Sequence, residues 1–292
     1  MLDPDGFLIA GGNHNQCYPT VCFAGDNYLV VWQAWIPDII ESKGGRKFGS
    51  YGLCANRVSL EGKVIDGDGK LIVDATAVAP SVVSDGSSFV LLAWIGRTDR
   101  RISGAGGLGN GPASARLDAL KLEIQKGNSY FAVDKDSINT LKQSYSGLVL
   151  LPGNSAMMTV AGYKGGTTIF RIDENGRKVG ECIRVHNYAY DEINVFASLA
   201  ASGESVLFTQ DWPSTPARKF PVRLGIWGWI LSSDGKVLEG GQDGFAIVVD
   251  PSRDYIQGFA CAGPTGVFLV VYAAPRAPDD TKIIGRIIKL KK

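Results

Sequence analysis

Apolar residues in this chain fall into short continuous runs that are separated by turns rich in Gly, Asp and Asn. Residues 18–21 and 28–32 form one pair of runs, with the turn Gly-Asp-Asn at residues 25–27 between them. Because the apolar residues do not alternate with polar ones, each run predicts a strand buried on both faces. The turn residues tolerate positive φ angles, so the pair predicts a β-hairpin. The same pattern returns in four further copies, at residues 79–94, 147–160, 195–209 and 258–272.

A second hairpin follows the first in most copies, and its strands alternate apolar and polar residues more clearly. Asn-Gly and Asp-Gly turns, which are strong hairpin signals, mark two of these copies. The second hairpins lie at residues 57–65, 172–179 and 230–238. Each unit therefore contains four predicted strands. The second strands end near Trp32, Trp94, Ala161, Gln210 and Tyr272, at spacings of 62, 67, 49 and 62 residues.

The segment at residues 113–139 fits the repeat least well. By propensity alone, residues 115–124 are compatible with a helix. Leu120, Leu122 and Ile124 alternate with polar residues, however, and the repeat requires a third strand at this point. We therefore predict a strand.

The fifth unit ends after three predicted strands, whereas the chain begins with a strand that belongs to no hairpin. Residues 5–10 read Asp-Gly-Phe-Leu-Ile-Ala, and residues 243–248, which close the fourth unit, read Asp-Gly-Phe-Ala-Ile-Val. An N-terminal strand that completed the last unit would close a ring of sheets and remove the open sheet edges. The prediction is an all-β, five-bladed β-propeller with four antiparallel strands per blade. Its last blade is closed by the N-terminal strand, and residues 1–292 form a single domain.

The repeat is similar to the propeller repeats of bacterial and archaeal surface proteins. The similarity rests on a Pro before the first strand, the Leu-Val-Val-Trp end of the second strand at residues 29–32, and the Asp-Gly-Lys-Val-Leu outer turn at residues 234–238. It covers essentially the whole chain. Five blades also resemble the fold of several glycoside hydrolase families and of a small group of lectins. Such a resemblance implies the fold much more than it implies one function.

Charge and hydropathy exclude several classes of partner. The 30 basic and 29 acidic residues give a net charge of +1, without a block of basic residues, so no nucleic-acid partner is expected. No apolar run approaches the ~20 residues that a membrane-spanning helix needs, so no membrane insertion is expected. The first residues lack the pattern of a secretory signal. We expect a mature, monomeric domain of a larger protein, located outside the cell or at its surface.

Five cysteines occur, at positions 17, 22, 54, 182 and 261, and none has the spacing of a metal site. Buried free thiols are one interpretation, and one or two disulfides in an oxidising compartment are the other. Cys22 and Cys261 occupy equivalent strands of the first and last units, so they are the first pair to test for a bridge.

Long connections follow the second strands, whereas the turns within each hairpin are short. In a propeller the long connections would share one side, which we call the long-loop face, and function is expected there. The long connections are predicted at residues 33–50, 96–114, 211–222 and 273–282. Aromatic rings among amides, carboxylates and a histidine fit a sugar, because rings stack on its apolar face while polar groups bind its hydroxyls. The candidate ligand-binding residues are Asn13, His14, Asn15, Trp35, Tyr190, Asp191, Trp212 and Asp254.

Glycoside hydrolysis would need two carboxyl groups about 5 to 10 Å apart across the scissile bond. Asp191 and Glu192 are the best carboxylate pair, but adjacent strand residues point to opposite faces, so Asp254 would have to supply the partner. Resemblance to the five-bladed hydrolases implies acids at the start of the early blades. The matching positions here are Asn15, Gln16, Ala77 and Tyr145, without an acid.

Three functions therefore compete. The leading hypothesis is a non-enzymatic recognition module for a glycan or a protein, which binds on the long-loop face. The alternatives are a carbohydrate-active glycoside hydrolase that uses Asp191 or Glu192 with Asp254, and a structural spacer domain. No residue pattern indicates a cofactor or a metal site.

Overall fold

The structure of the chain is a computed structural model, and it is built almost entirely from β-strands. Among the residues it describes, one short 3-10 helix occurs, at Pro152–Asn154, and no helix has the length and apolarity needed to cross a membrane. The described residues are 6–11, 14–41, 47–74, 77–101, 108–125, 129–130, 146–162, 166–185, 197–213, 224–241, 244–249, 256–277 and 280–290.

Five antiparallel sheets follow one another along the chain. The first contains β1 (Gln16–Ala24), β2 (Asn27–Glu41), β3 (Lys47–Ser59) and β4 (Lys70–Val73). The second contains β5 (Ala77–Ser84), β6 (Phe89–Arg101), β7 (Leu108–Asp118), β8 (Glu123–Ile124) and β9 (Ser129–Tyr130). The third contains β10 (Ser146–Leu150), β11 (Ala156–Gly162), β12 (Gly166–Ile172) and β13 (Lys178–Arg184). The fourth contains β14 (Ala197–Ser202), β15 (Ser205–Pro213), β16 (Leu224–Ser232), β17 (Val237–Glu239) and β18 (Phe245–Val248). The fifth contains β19 (Ile256–Ala262), β20 (Val267–Ala277) and β21 (Asp280–Lys289).

The outermost position of two sheets is filled by an interrupted strand. Both β8 and β9 pair with β7, at different points along it. Likewise, β17 and β18 both pair with β16. Counting each interrupted strand once, the first four sheets have the predicted four strands, in the order of the chain. The protein therefore has the predicted all-β fold of a five-bladed β-propeller.

The chain divides into two compact units. Unit 1 is Met1–Ile138 with Ile172–Lys178, and unit 2 is Asn139–Arg171 with Val179–Lys292.

The core of unit 1 forms where the first and second sheets face each other. Leu29 and Val31 of β2 pack in one cluster with Leu92 and Trp94 of β6, and all four side chains are almost fully buried. A buried aliphatic or aromatic side chain of this size stabilises the fold by about 1.5–3 kcal/mol. The continuous apolar runs of the sequence are thus the strands that touch a neighbouring sheet.

Unit 2 uses the same packing between its third, fourth and fifth sheets. Phe208 and Trp229 of the fourth sheet, with ring centroids 5.3 Å apart, pack in one cluster with Met157 and Ile169 of the third. Ile230 and Phe268 belong to a second cluster, between the fourth and fifth sheets. The fourth sheet, in the middle of unit 2, therefore buries both of its faces.

An irregularity recurs in the first strand of three sheets. The pairing of first and second strands skips two residues, between Cys17 and Thr20 and between Val78 and Ser81. The fifth sheet has the same skip, at residues 256–259. Tyr18 and Ala79 stand in these bulges with positive φ angles of 53° and 51°. Bulges of this kind redirect the strand at its entry to the sheet.

The predicted long loops are shorter than expected. Residues 33–41 continue β2, and residues 47–50 already belong to β3, so the two strands remain paired far beyond Trp32. The same holds for β6 with β7 and for β20 with β21. At these three connections the loop prediction was wrong, because it treated the end of each apolar run as the end of the strand. At the fourth, residues 211–213 continue β15, and residues 214–223 lie outside the described residues. Pairing across a hairpin continues when the residues become polar.

The segment whose prediction was least certain, residues 115–124 in the second sheet, begins as a strand and continues as a turn. Residues 115–118 lie in β7, which confirms the strand prediction, and residues 119–122 form a turn. Leu120 is therefore not a strand residue, and the alternation seen there was misleading. The Asp118 carboxylate accepts hydrogen bonds from the amides of Leu120 and Lys121, 3.0 Å each, which ends the strand.

The N-terminal segment differs from its prediction. Residues 6–10 are not in a strand. Instead, the Asn56 side-chain amide donates to the Ile9 carbonyl at 3.0 Å, and Ile9 and Ala10 pack against the cluster that contains Trp32. The strand prediction for residues 6–10 was wrong, because these residues bond to a side chain of the first sheet rather than to a strand edge. In the part of the chain that is described, the fifth sheet has three strands, and its closure stays a prediction.

Candidate functional site

The predicted site residues fall into two groups. Those outside the described residues are Asn13, Tyr190, Asp191, Glu192 and Asp254. Trp212 lies in β15, where its backbone pairs with Gly225, and its side chain is not described. His14, Asn15 and Trp35 are all described, and they lie together at one end of the first sheet.

Three strands bring these residues together as a cross-strand row. Trp35 of β2 pairs with Tyr51 of β3. On its other side, the Trp35 amide donates to the Asn15 carbonyl at 2.9 Å, just before β1 begins. Residues directly opposite one another in antiparallel strands project from the same face of the sheet. Asn15, Trp35 and Tyr51 are therefore neighbours, although up to 36 positions separate them in the sequence.

A cavity of about 390 Å³ opens over this row, and it is lined by His14, Asn15, Trp35 and Tyr51. We call it the Trp35 cavity. Its volume falls in the range of sites for small ligands. Tyr51 was not among the predicted residues, because its partner Trp35 was assigned to the loop at residues 33–50 and no pairing across the hairpin was expected there. Extending the β2–β3 hairpin in register would have placed it opposite Trp35.

The two aromatic rings of the cavity meet nearly at a right angle. The ring centroids of Trp35 and Tyr51 are 5.2 Å apart, and their planes form an angle of 79°. Such edge-to-face pairs are stabilised by about 0.5–1.5 kcal/mol beyond their buried area. Trp35 is 38% exposed despite these contacts. The indole is therefore both held in place and accessible from solvent.

Gly49 provides the space in which the indole lies. A Cβ at this position would stand 2.5 Å from Cζ2 and 2.9 Å from Nε1 of Trp35, closer than real contacts allow. Gly49 precedes Tyr51 by two residues on β3, so the indole lies diagonally across the bare backbone. Any larger residue would push the ring away from the sheet.

A buried glutamine next to the row connects β2 to two neighbouring strands. Gln33 stands two residues before Trp35 on β2 and is 4% exposed. Its Nε2 donates to Cys17 Sγ at 3.1 Å, and its Oε1 accepts from the Ala79 amide at 2.9 Å. These bonds tie β2 to β1 and to the bulge at the start of β5.

The cavity offers neutral polar chemistry. Its lining supplies one imidazole, one amide, one phenol and one indole N–H, which together both donate and accept hydrogen bonds. None of the four side chains is a carboxylate, an ammonium or a guanidinium. Within the described part of the chain, no cluster of His, Cys, Asp and Glu is arranged to hold a metal ion.

The five cysteines are free thiols in the structure. This agrees with the free-thiol interpretation, although Cys261 is exposed; the bridge between Cys22 in unit 1 and Cys261 in unit 2 stays a prediction. Burial raises the pKa of the Cys22 thiol to about 12, and burial also raises the pKa of Cys54. Cys22 packs against the core of unit 1, where it takes the place of a small apolar residue.

No protein-family model and no curated protein matches the sequence. Solved structures with a similar fold do exist. A protein of unknown function from Dyadobacter fermentans aligns over 97% of this chain and 79% of that chain, with 16% identity and a TM-score of 0.59. An α-L-arabinanase from Penicillium chrysogenum, solved in complex with arabinobiose, aligns over 94% of this chain and 83% of that chain. Its identity is 9% and its TM-score 0.52. Similarities at this level of identity concern the fold alone.

Proposed function

We propose that the chain is a non-enzymatic recognition module that binds a glycan in the Trp35 cavity. The observation that carries this proposal is the exposed indole of Trp35, held by Gly49 and Tyr51 and flanked by Asn15 and His14. We expect the protein to act outside the cell or at its surface, as part of a larger assembly of domains.

The chemistry of a sugar matches this lining. A sugar ring presents C–H groups on one face, which pack well against an aromatic ring, and hydroxyl groups around its rim. Each hydroxyl both donates and accepts a hydrogen bond, as do the side chains of Asn15, His14 and Tyr51. A neutral lining avoids the cost of burying an unpaired charge beside a neutral ligand.

A rigid platform also favours binding. The edge-to-face contact with Tyr51 and the close approach to Gly49 restrict the Trp35 ring before any ligand arrives. Ordering a side chain on binding costs about 0.5–1.5 kcal/mol, and a ring that is already fixed avoids most of that cost.

Glycoside hydrolysis is the second candidate. It is favoured by the fold shared with an arabinanase, which is known to bind arabinobiose. Hydrolysis requires two carboxyl groups about 5 to 10 Å apart. The carboxylates that could supply them, Asp191, Glu192 and Asp254, lie outside the described residues. This candidate therefore depends on an activity assay.

The deciding experiment is a glycan array with the purified protein and three variants. Trp35→Ala is expected to lose at least about tenfold in affinity for the glycans that bind, equivalent to about 1.4 kcal/mol. Tyr28→Ala is the matched control. Tyr28 is also an exposed aromatic residue of β2, 43% exposed, and it contacts Phe23 edge to face at 5.4 Å.

The double variant Asp191→Ala/Glu192→Ala separates binding from hydrolysis. If binding persists in it and arabino-oligosaccharides stay intact with the wild type, the recognition module is supported. Release of sugar by the wild type but not by the double variant would establish the hydrolase instead. Absence of binding to every glycan would leave a protein partner or a structural spacer.

A further inference from the structure

We propose that Asn175 is a modification site, at which the side-chain amide is slowly converted to a carboxylate, and that the docking of its turn on β7 restrains this reaction. Asn175 and Gly176 belong to the Asn-Gly turn between β12 and β13. The proposed glycan site lies in the first sheet, so this inference does not depend on it.

An Asn-Gly pair contains both reactants of an intramolecular substitution. The backbone nitrogen of Gly176 attacks Cγ of Asn175, and a new C–N bond closes a five-membered succinimide. The side-chain nitrogen leaves as ammonia and takes the proton of the Gly176 amide with it. Water then opens the ring, at one carbonyl to give aspartate and at the other to give isoaspartate. Gly lacks a Cβ, so the attacking nitrogen is less hindered than that of a residue with a side chain.

The two residues of the pair differ sharply in their surroundings. Asn175 is exposed, and its Nδ2 donates to Glu174 Oε1 at 3.2 Å. Gly176 is buried, and its carbonyl accepts a hydrogen bond from Ser114 Oγ of β7 at 2.6 Å. A Cβ on Gly176 would stand 2.6 Å from Cα of Ala115. The amide under attack therefore faces water, whereas the backbone that must move lies directly against the second sheet.

The docked turn keeps the attacking nitrogen occupied. The Gly176 amide donates to the Asp173 carbonyl at 3.0 Å. The Asp173 carboxylate also accepts from the amides of Asn175 and Arg177, at 2.9 and 2.7 Å. Turning the Gly176 nitrogen toward Cγ breaks the first of these bonds, and the same rotation moves the Gly176 carbonyl away from β7. The reaction therefore proceeds from the small population in which the turn has opened locally.

Two other turns share the backbone pattern but not the reactive amide. Residues 59–63 and 232–236 form the same two backbone hydrogen bonds as the turn that contains the asparagine. Glu61 and Asp234 stand at the equivalent position. A hydrogen bond from the Ser232 hydroxyl lowers the pKa of Asp234 to about 2. Asp234 is therefore a carboxylate at neutral pH, and a carboxylate is a poor target for a nucleophile.

The isoaspartate product does not fit the docked turn. Its backbone runs through the former side-chain carbons, so the chain becomes one carbon longer just before Gly176. Because Gly176 already lies in close contact with the backbone of Ala115, the docked turn has no room for this extra length. Conversion to isoaspartate is therefore expected to leave the turn detached from β7.

The test follows the native protein at neutral pH for several weeks by mass spectrometry of its peptides, with chromatography to separate the aspartate and isoaspartate forms. Asn175 is expected to convert in the native protein, but more slowly than in the chain unfolded in guanidinium chloride. Ser114→Ala removes the hydrogen bond to Gly176 and is expected to speed native conversion about fivefold, because the detached turn becomes more populated by that factor. Ser59→Ala, in the equivalent turn of the first sheet, is the matched control and should leave the rate unchanged.

Asp173→Ala removes the acceptor of two turn amides and is expected to accelerate conversion at least as much, so the test does not depend on Ser114→Ala being folded. Circular dichroism verifies the fold of each variant. Conversion in the unfolded chain with none at Asn175 of the native protein would overturn the site. Equal rates in the native wild type and in both turn variants would show that docking does not restrain the reaction. The purified isoaspartate form should exchange the Gly176 and Arg177 amide hydrogens faster than the unmodified protein, and unchanged protection would contradict the loss of docking.

Discussion

The indole of Trp35 lies directly over the backbone of Gly49, so closely that one added methyl group at Gly49 would stand 2.5 Å from the ring. The glycine itself is 14 residues further along the chain and on the next strand. Its effect on the site is steric, because it contributes no side chain that a ligand could touch. A substitution at Gly49 can therefore displace the Trp35 indole without removing any side chain from the cavity.

Gly49→Ala is expected to weaken glycan binding by about tenfold or more, because the ring must leave its place on the sheet. Trp35 fluorescence should shift, while the free energy of unfolding should change by less than about 1 kcal/mol for this partly exposed position. Gly263→Ala is the matched control, since a Cβ there would have its nearest contact at 3.5 Å. Unchanged binding in Gly49→Ala would mean that the orientation of the indole does not matter.

Gln33→Ala is expected to destabilise the protein by about 1–3 kcal/mol, because it removes a side chain that is only 4% exposed together with its hydrogen bonds to the Ala79 amide and to Cys17 Sγ. Urea denaturation measures this change. Gln125, which is exposed at the end of β8, provides the control, and Gln125→Ala should change stability by less than about 0.5 kcal/mol. Equal effects of both substitutions would argue against the supporting role of Gln33.

The pair of Arg57 and Asp66 predicts a dependence of stability on pH. Arg57 Nε and Nη2 donate to Asp66 Oδ2 and Oδ1, at 2.9 and 2.6 Å. The side-chain hydrogen bonds from Arg57 hold the pKa of Asp66 below its usual value, although partial burial opposes this. Because the folded pKa is the lower one, the pair's contribution is complete above the unfolded value of about 3.9. It is lost as the pH falls through the folded pKa.

Asp66→Asn should therefore cost about 1 kcal/mol of unfolding free energy at neutral pH, where the bidentate pair is formed. The difference between wild type and variant should shrink as the pH is lowered from about 5 toward 2. Asp68→Asn, in the same turn but exposed, is the control and should change the free energy of unfolding at neutral pH by less than about 0.5 kcal/mol. A difference that is constant with pH would show that the charge of Asp66 is not involved.

Alkylation of the native protein with iodoacetamide should modify the cysteines in a defined order. The thiolate is the reactive form, and burial raises the pKa of Cys22 to about 12, so Cys22 should react slowly. Cys261 is exposed and should react first. Mass spectrometry of peptides after timed quenching measures both rates. A peptide that joins Cys22 to Cys261 by a disulfide would establish the bridge and contradict the free thiols.

The repeat that was visible in the sequence is also visible in equivalent hydrogen bonds. The Thr20 hydroxyl accepts from the Val82 amide, and the Ser198 hydroxyl accepts from the Ala260 amide. In both pairs the two residues are 62 positions apart, which is also the spacing between the first two repeats of the sequence and between the last two. A hydroxyl in the first strand of one sheet thus bonds to the first strand of the next, in both units.

The N-terminal segment also has an equivalent hydrogen bond elsewhere in the chain. Asn56 in β3 donates to the Ile9 carbonyl, and Arg286 in β21 donates to the Ile247 carbonyl. Asn56 pairs with Val30, and Arg286 pairs with Val270, so the two donors are equivalent in their sheets. Ile9 therefore contacts the first sheet as the fourth-strand residue Ile247 contacts the fifth. The likeness between residues 5–10 and 243–248 is thus matched by one equivalent hydrogen bond, although residues 6–10 form no strand and the closure stays a prediction.

For the candidate site, the sequence alone identified His14, Asn15 and Trp35 but missed Tyr51 and Gly49. The first three were recognisable because each stands next to an apolar run, at a place where a polar or exposed residue is conspicuous. Tyr51 and Gly49 have no such local signal, since their importance comes only from the residue that lies opposite them on β2.

The strands and hairpins of this protein could be predicted from short stretches of its sequence. Apolar runs that are buried on both faces, and turns whose residues tolerate positive φ, specify hairpins without knowledge of distant contacts. The site was decided only by tertiary structure. Strand register selects which side chain faces Trp35, and a shift of one residue would turn Tyr51 to the other face of the sheet. The hydrogen bond between Gln33 and the Ala79 amide likewise depends on a neighbouring sheet.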